Sequence, residues 1–259
     1  MRELPTAMEN DSKSLIAAAV AATERRGELW VELINSFKVR SIVEVGVFRG
    51  DFAEAILKGC DCIEKYYMVD PWRNLDNWNK PANVADDVFE GYYNDSMQRT
   101  EFAADRRVVL RGTTTEVIDE IPDGEIDLIY IDGDHTLRGI AIDMVAYAPK
   151  VREGGLIGGD DFCPSIWQHV PRFEPTLVCP FAAHFAEGTR SPIHALPHEQ
   201  FLITGVNTSG EPPGFEFVDH TGSFSGDFSL KPHLGPTKQL VRSLRATAGS
   251  IKRKLLPKR

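Results

Sequence analysis

The sequence predicts an α/β protein: a doubly wound, mostly parallel, seven-stranded sheet of Rossmann-like form, with helices before it and a basic helix after it. Three observations carry this reading. Short β-rich apolar runs alternate with helical segments from Ser41 onward. The runs are apolar at successive positions, as strands covered on both faces are. Several of them end in a glycine or an acid, at the sheet edge where open parallel sheets bind their ligands.

From about Ser12 to Lys38, Leu15, Ala18, Ala19 and Ala22, then Leu29, Trp30, Leu33, Ile34 and Phe37, recur at helical spacing, with Gly27 as a break between two helices. "SIVEVG" (Ser41 to Gly46) is the first strand and "DFAEAILKG" its helix. "KYYMVD" (Lys65 to Asp70) is the second strand, and "RRVVLRG" (Arg106 to Gly112) the third, followed by helical "TTEVIDEI". "IDLIYID" (Ile126 to Asp132) is the fourth, with "TLRGIAIDMVAYAPKV" as its helix, and "GGLIGGDD" (Gly154 to Asp161) the fifth. "PTLVCP" (Pro175 to Pro180) and "EQFLITG" (Glu199 to Gly205) are weaker candidates for the last two.

The chain therefore divides into an N-terminal helical segment (1–40), a catalytic-type α/β domain (41–206), a Gly-, Ser- and Pro-rich linker or loop (207–235) and a basic amphipathic tail (236–259). Within the domain, 71–105 is an insertion too long for a plain connection. It is rich in aromatics, with Trp72, Trp78, Tyr92 and Tyr93, and suits a lid over a site or a platform for an acceptor.

Apolar residues at 42% supply a sizeable core, and a net charge of -9 argues against a general nucleic-acid binder. The charge is uneven, because the tail holds eight Lys or Arg and no acid. Such a tail is a solvated end, or a helix that lies on an anionic membrane surface or a partner. Four cysteines form no disulfide framework, and Cys60-Asp-Cys62 lacks zinc-knuckle spacing. "SLIAAAVAA" is preceded by acids, unlike a secretory signal, and no apolar run reaches 18 residues. A cytoplasmic protein, peripheral at most to a membrane, is the expectation; a homo-oligomer is left open.

The strand-helix turn "EVGVFRG" (Glu44 to Gly50) offers Gly46 for close approach to a ligand, without the full dinucleotide fingerprint. Asp70 ends the second strand, where a carboxylate meets the cis-diol of a ribose. Together with "YYMVDPW", "IDLIYIDGDHT" and "VREGGLIGGDDF", this turn resembles the class I S-adenosylmethionine-dependent methyltransferases. Within them it is most similar to the family-24 group that includes macrocin-type sugar O-methyltransferases, over roughly Ser41 to Gly205. The resemblance implies S-adenosyl-L-methionine as cofactor, with Glu44 and Gly46 along its methionine and ribose, Asp70 on the ribose hydroxyls, and Gly112 and Thr113 beside the adenine. It also implies methyl transfer to a hydroxyl of a small-molecule acceptor, a glycoside or other polyhydroxylated compound.

A hydroxyl must lose its proton as it attacks a sulfonium methyl, which a cation and a general base both assist. Asp132, Asp160 and Asp161 suit a hard divalent cation such as Mg2+, and one strand-helix-strand unit brings Asp132 and Asp160 to neighbouring strand ends. This spacing matches the metal-binding acids of metal-dependent O-methyltransferases. The plainer alternative is that Asp134 and Asp161 cap the helices after them. His135, three residues past Asp132, is the candidate base; Asp134 could orient it, or Asp132 itself could take the proton. Two other classes stay open: a nucleotide-sugar glycosyltransferase using Asp132-Gly-Asp134 on its metal, and a non-catalytic cofactor-binding scaffold.

Overall fold

The computed structural model of the chain describes residues 5–210 and 212–234. The basic tail expected at 236–259, with its membrane or partner role, lies outside them. No described helix is long and apolar enough to cross a membrane.

Helices α1 (Pro5–Ala22) and α2 (Arg26–Phe37) come first; the break between them spans 23–25, just before Gly27. The sheet begins with β1 (Ser41–Val45), β2 (Lys65–Val69), β3 (Arg107–Leu110), β4 (Ile126–Ile131) and β5 (Val151–Gly159). Between them lie α3 (Asp51–Gly59), α4 (Asp86–Arg99), α5 (Thr114–Val117) and α6 (Leu137–Tyr147). Then come α7 (Val178–Gly188), β6 (Ile193–Leu196), β7 (Gln200–Val206), β8 (Phe217–Asp219) and α8 (Lys231–Leu234).

Strand order is β3-β2-β1-β4-β5-β7-β6-β8. The first five pair in parallel, and β7 runs antiparallel to both β5 and β6. Alternate residues of each strand feed opposite faces. Ile42, Tyr66, Leu128 and Tyr130 pack with α1, α2 and α3 on one side. Val43, Tyr67, Ile129 and Ile131 pack with α6 and α7 on the other. The chain order reverses between β1 and β4, so a crevice opens at the carboxyl ends of these two strands.

The sheet differs from the expected one in two places. "PTLVCP" is not a strand: its second half opens α7, and β6 comes instead from the next apolar run. A helix accepts Pro180 because a first-turn N–H needs no helical partner. The stretch expected as a linker adds an eighth strand, β8, parallel to β6.

Candidate cofactor and catalytic site

β1 turns into α3 through a backbone that only glycine tolerates at its first step. Gly46 has φ 91°, and a Cβ there would overlap the carbonyl oxygen of Asp132 at the end of β4. The next residues lie over Asp70. Its carboxylate accepts hydrogen bonds from Val47 N (3.0 Å), Phe48 N (2.9 Å) and Trp72 N (2.7 Å). Asp70 thus braces the turn, and burial pushes it up to about 6 against those N–H groups. Glu44 is buried beneath, accepting from the Tyr66 hydroxyl (3.0 Å), and burial raises its pKa well above the usual carboxylate range.

At the end of β3, Gly112 leads into Thr113, which caps α5 through reciprocal hydrogen bonds with Glu116. Arg73 of the insertion clamps Glu116 with bonds of 2.7 and 2.8 Å. Behind this loop Asp143 of α6 is buried and accepts from Thr114 Oγ1 (2.5 Å); burial pushes it up to about 7.

Glu44, Gly46, Asp70, Gly112, Thr113, Asp132 and His135 all line one cavity of about 380 Å³. That volume is within the range of small-molecule sites. Of the insertion's aromatics Trp78 and Phe89 line it, and the Trp78 indole N–H has no hydrogen-bond partner among the described residues. Trp72 is core, donating to Phe48 O (2.8 Å), while Tyr93 packs on Trp72 and Tyr92 on Phe48. The insertion covers the site by other means: Lys80, buried, donates to Glu174 O and Thr176 Oγ1 at 3.1 Å each.

At the far end of the cavity the acids separate into two groups. Asp132 and Asp161 flank His135, with Nδ1 in close contact with Asp161 and Nε2 3.5 Å from Asp132 Oδ1. Burial opposes charge on the ring, but the two carboxylates outweigh it and raise its pKa to about 10. Asp161 also accepts from Gln168 Nε2 (2.6 Å). Asp160 faces the other way, in close contact with Arg26 Nη1 through one oxygen. Its other oxygen accepts from Gln200 Nε2 (2.5 Å) and Asp161 N (2.8 Å). Arg26 also reaches Asp132 Oδ2 at 3.5 Å.

Of the three acids expected to hold Mg2+, Asp132 and Asp161 converge on His135, while Asp160 faces Arg26 and Gln200. Asp132, His135 and Asp161 each bring one donor atom within 4.8 Å of the others. Between two carboxylates the imidazole holds its proton, and a cation binding there would have to displace it. Asp160 takes three donors on its two oxygens, from Arg26, Gln200 and the Asp161 N–H. Asp134 turns into its own loop, accepting from Thr136 N (3.0 Å), and the cap of α6 is Thr136.

Arg26, Gln200, Asp143 and Lys80 were not singled out from the sequence. Gln200 alone carried a signal, being polar at the head of an apolar strand.

Residues 43–162 match a family model described as a methyltransferase domain. Among curated proteins, the uncharacterized protein y4gI of Sinorhizobium fredii is 27% identical over 136 residues, 49% of this chain. The matched stretch spans only 14% of that protein's length. Among solved structures, a putative caffeoyl-CoA O-methyltransferase from Staphylococcus aureus superposes with TM-score 0.53 at 14% identity, covering 78% of this chain and 92% of that one. An O-methyltransferase from Bacillus cereus in complex with SAH gives TM-score 0.50 at 15% identity, covering 76% and 90%. At such identities the likeness is one of fold.

Proposed function

Given a chain that carries a methyltransferase domain on the methyltransferase fold, we propose that it is an S-adenosylmethionine-dependent O-methyltransferase of a small polyhydroxylated acceptor, such as a glycoside. One observation supports this above the others. Glu44, Gly46, Asp70, Gly112 and Thr113, read from sequence as cofactor contacts, line the same cleft as Asp132 and His135.

In this reading Gly46 lets the cofactor's amino-acid part lie against the β1 turn, and Glu44 supplies a carboxyl beneath it. Asp70 has two oxygens and three N–H partners, which leaves acceptor capacity for a ribose hydroxyl. Gly112 and Thr113 border the adenine. The acceptor hydroxyl enters beside Asp132. S-adenosylmethionine, when bound, would supply its sulfonium methyl group to the hydroxyl oxygen and leave as the neutral thioether, and the hydroxyl proton would pass to the Asp132–His135 pair. With His135 protonated at neutral pH, the Asp132 carboxylate is the member free to receive it.

The test is S-adenosylhomocysteine binding by titration calorimetry on the full chain, expected with Kd on the order of 1–100 μM. Asp132→Asn should keep that affinity and lose about 10²–10⁴-fold in turnover of a glycoside acceptor. A chain that binds a sugar nucleotide but not the adenosyl ligand would instead be a glycosyltransferase.

A further inference from the structure

The N-terminal helix α2 enters the acidic end of the cleft, although it precedes the sheet and carries none of the motifs. Arg26 and Trp30 lie four residues apart and so share one face of α2. Trp30, fully buried, donates from Nε1 to Gln200 Oε1 (2.8 Å), which also accepts from Tyr130 Oη (3.0 Å). The Gln200 amide then donates to Asp160. Arg26 closes the loop from the other end, through its contact with Asp160 and its approach to Asp132. One helix face therefore grips this acid at two points, and the guanidinium lines the cleft beside Phe52.

We propose that Arg26 is the built-in counter-cation of the Asp132/Asp160 pair, taking the place of a divalent metal so that methyl transfer in this chain proceeds without one. The argument is one of charge and donor capacity. Two carboxylates at adjacent strand ends repel unless a cation lies between them. A guanidinium gives directed N–H donors and keeps its proton at any working pH. Asp160 meets Arg26, Gln200 and the Asp161 N–H with both oxygens. A metal would have to displace the guanidinium and compete with the fully buried Gln200 amide for Asp160. During transfer the same guanidinium faces the oxygen that gives up its proton next to Asp132. Arg26 thus positions and charge-balances the acid that receives the proton.

This inference rests on the O-methyltransferase reading, and the two fail in different measurements. Loss of S-adenosylhomocysteine binding under every condition refutes the methyltransferase reading. The Arg26 inference is read from Mn2+ binding, followed by titration calorimetry and electron paramagnetic resonance on the full-length chain. The wild-type chain is expected to show no Mn2+ site tighter than roughly 1 mM. Its S-adenosylhomocysteine affinity and acceptor turnover should agree within about twofold in EDTA and in Mn2+. Arg26→Met keeps the stem of the side chain over Phe52 and exposes the acids; it should bind Mn2+ about tenfold or more tighter than wild type. Arg26→Lys, which keeps the charge without the fork of donors, should bind Mn2+ more weakly than Arg26→Met and retain more of the metal-independent turnover; equal behaviour of the two variants would overturn the counter-cation role. A wild-type chain that binds Mn2+ at micromolar concentration, or turns over acceptor only with it, overturns the inference without any variant.

Discussion

At the scale of single residues, Gly46 shows how a backbone requirement becomes a functional one. Its positive φ and the carbonyl of Asp132 leave no room for a side chain. Gly46→Ala should therefore displace the turn that Asp70 braces, weakening S-adenosylhomocysteine binding by about tenfold or more while the sheet persists by circular dichroism. The glycine turn itself was legible in the sequence, because its pattern lies in one short stretch; its crowding by Asp132, on another strand, was not. The acids were legible as a group but not in their pairing. Asp160 was read with Asp132 and Asp161, and it faces Arg26, 134 residues earlier in the chain. Nothing local in "TERRGELW" marks Arg26 among its basic neighbours. A long-range partner shows only once the helix is docked.

At the scale of elements, the same locality explains which pieces were read correctly. The five parallel strands show as continuous apolar runs because both their faces are covered. "TLVC" has the same composition but runs into α7, which begins at Val178, and a short buried run carries no period that separates strand from helix. β8 is three half-buried residues, too little pattern to stand out from a loop. Among the helices, α2 is held by Trp30, which packs edge-on against Tyr130 (5.0 Å between ring centres) and Phe52 (6.2 Å). Trp30→Ala should cost about 3–5 kcal/mol in denaturant unfolding. Trp30→Phe keeps most of the ring and leaves Gln200 one donor short, at a cost of about 1–3 kcal/mol.

At the scale of the whole molecule, the cleft is lined by carboxyls that folding makes harder to ionise. Asp143 is pushed to about 7 and Asp70 to about 6, in each case chiefly by burial. The folded chain therefore holds these protons over a range where the unfolded chain, near its ordinary carboxylate values, has released them. Their contribution is favourable below about pH 4 and is lost as pH rises toward 7. Asp143→Asn, which keeps an oxygen for Thr114, should raise stability at pH 8 by on the order of 1–3 kcal/mol and change it little at pH 4. Unfolding midpoints of both proteins across that range would decide it; an equal shift at the two pH values would show that Asp143 ionises as freely folded as unfolded. A broader consequence follows from where Arg26 and Gln200 lie. The segment shared with the methyltransferase domain family runs from 43 to 162, and the two residues that hold Asp160 stand on either side of it. The candidate catalytic centre is therefore not a portable module. Transplanted alone into another protein, that segment would bring its acids without their ballast, and any working chimera would have to carry both flanks with it.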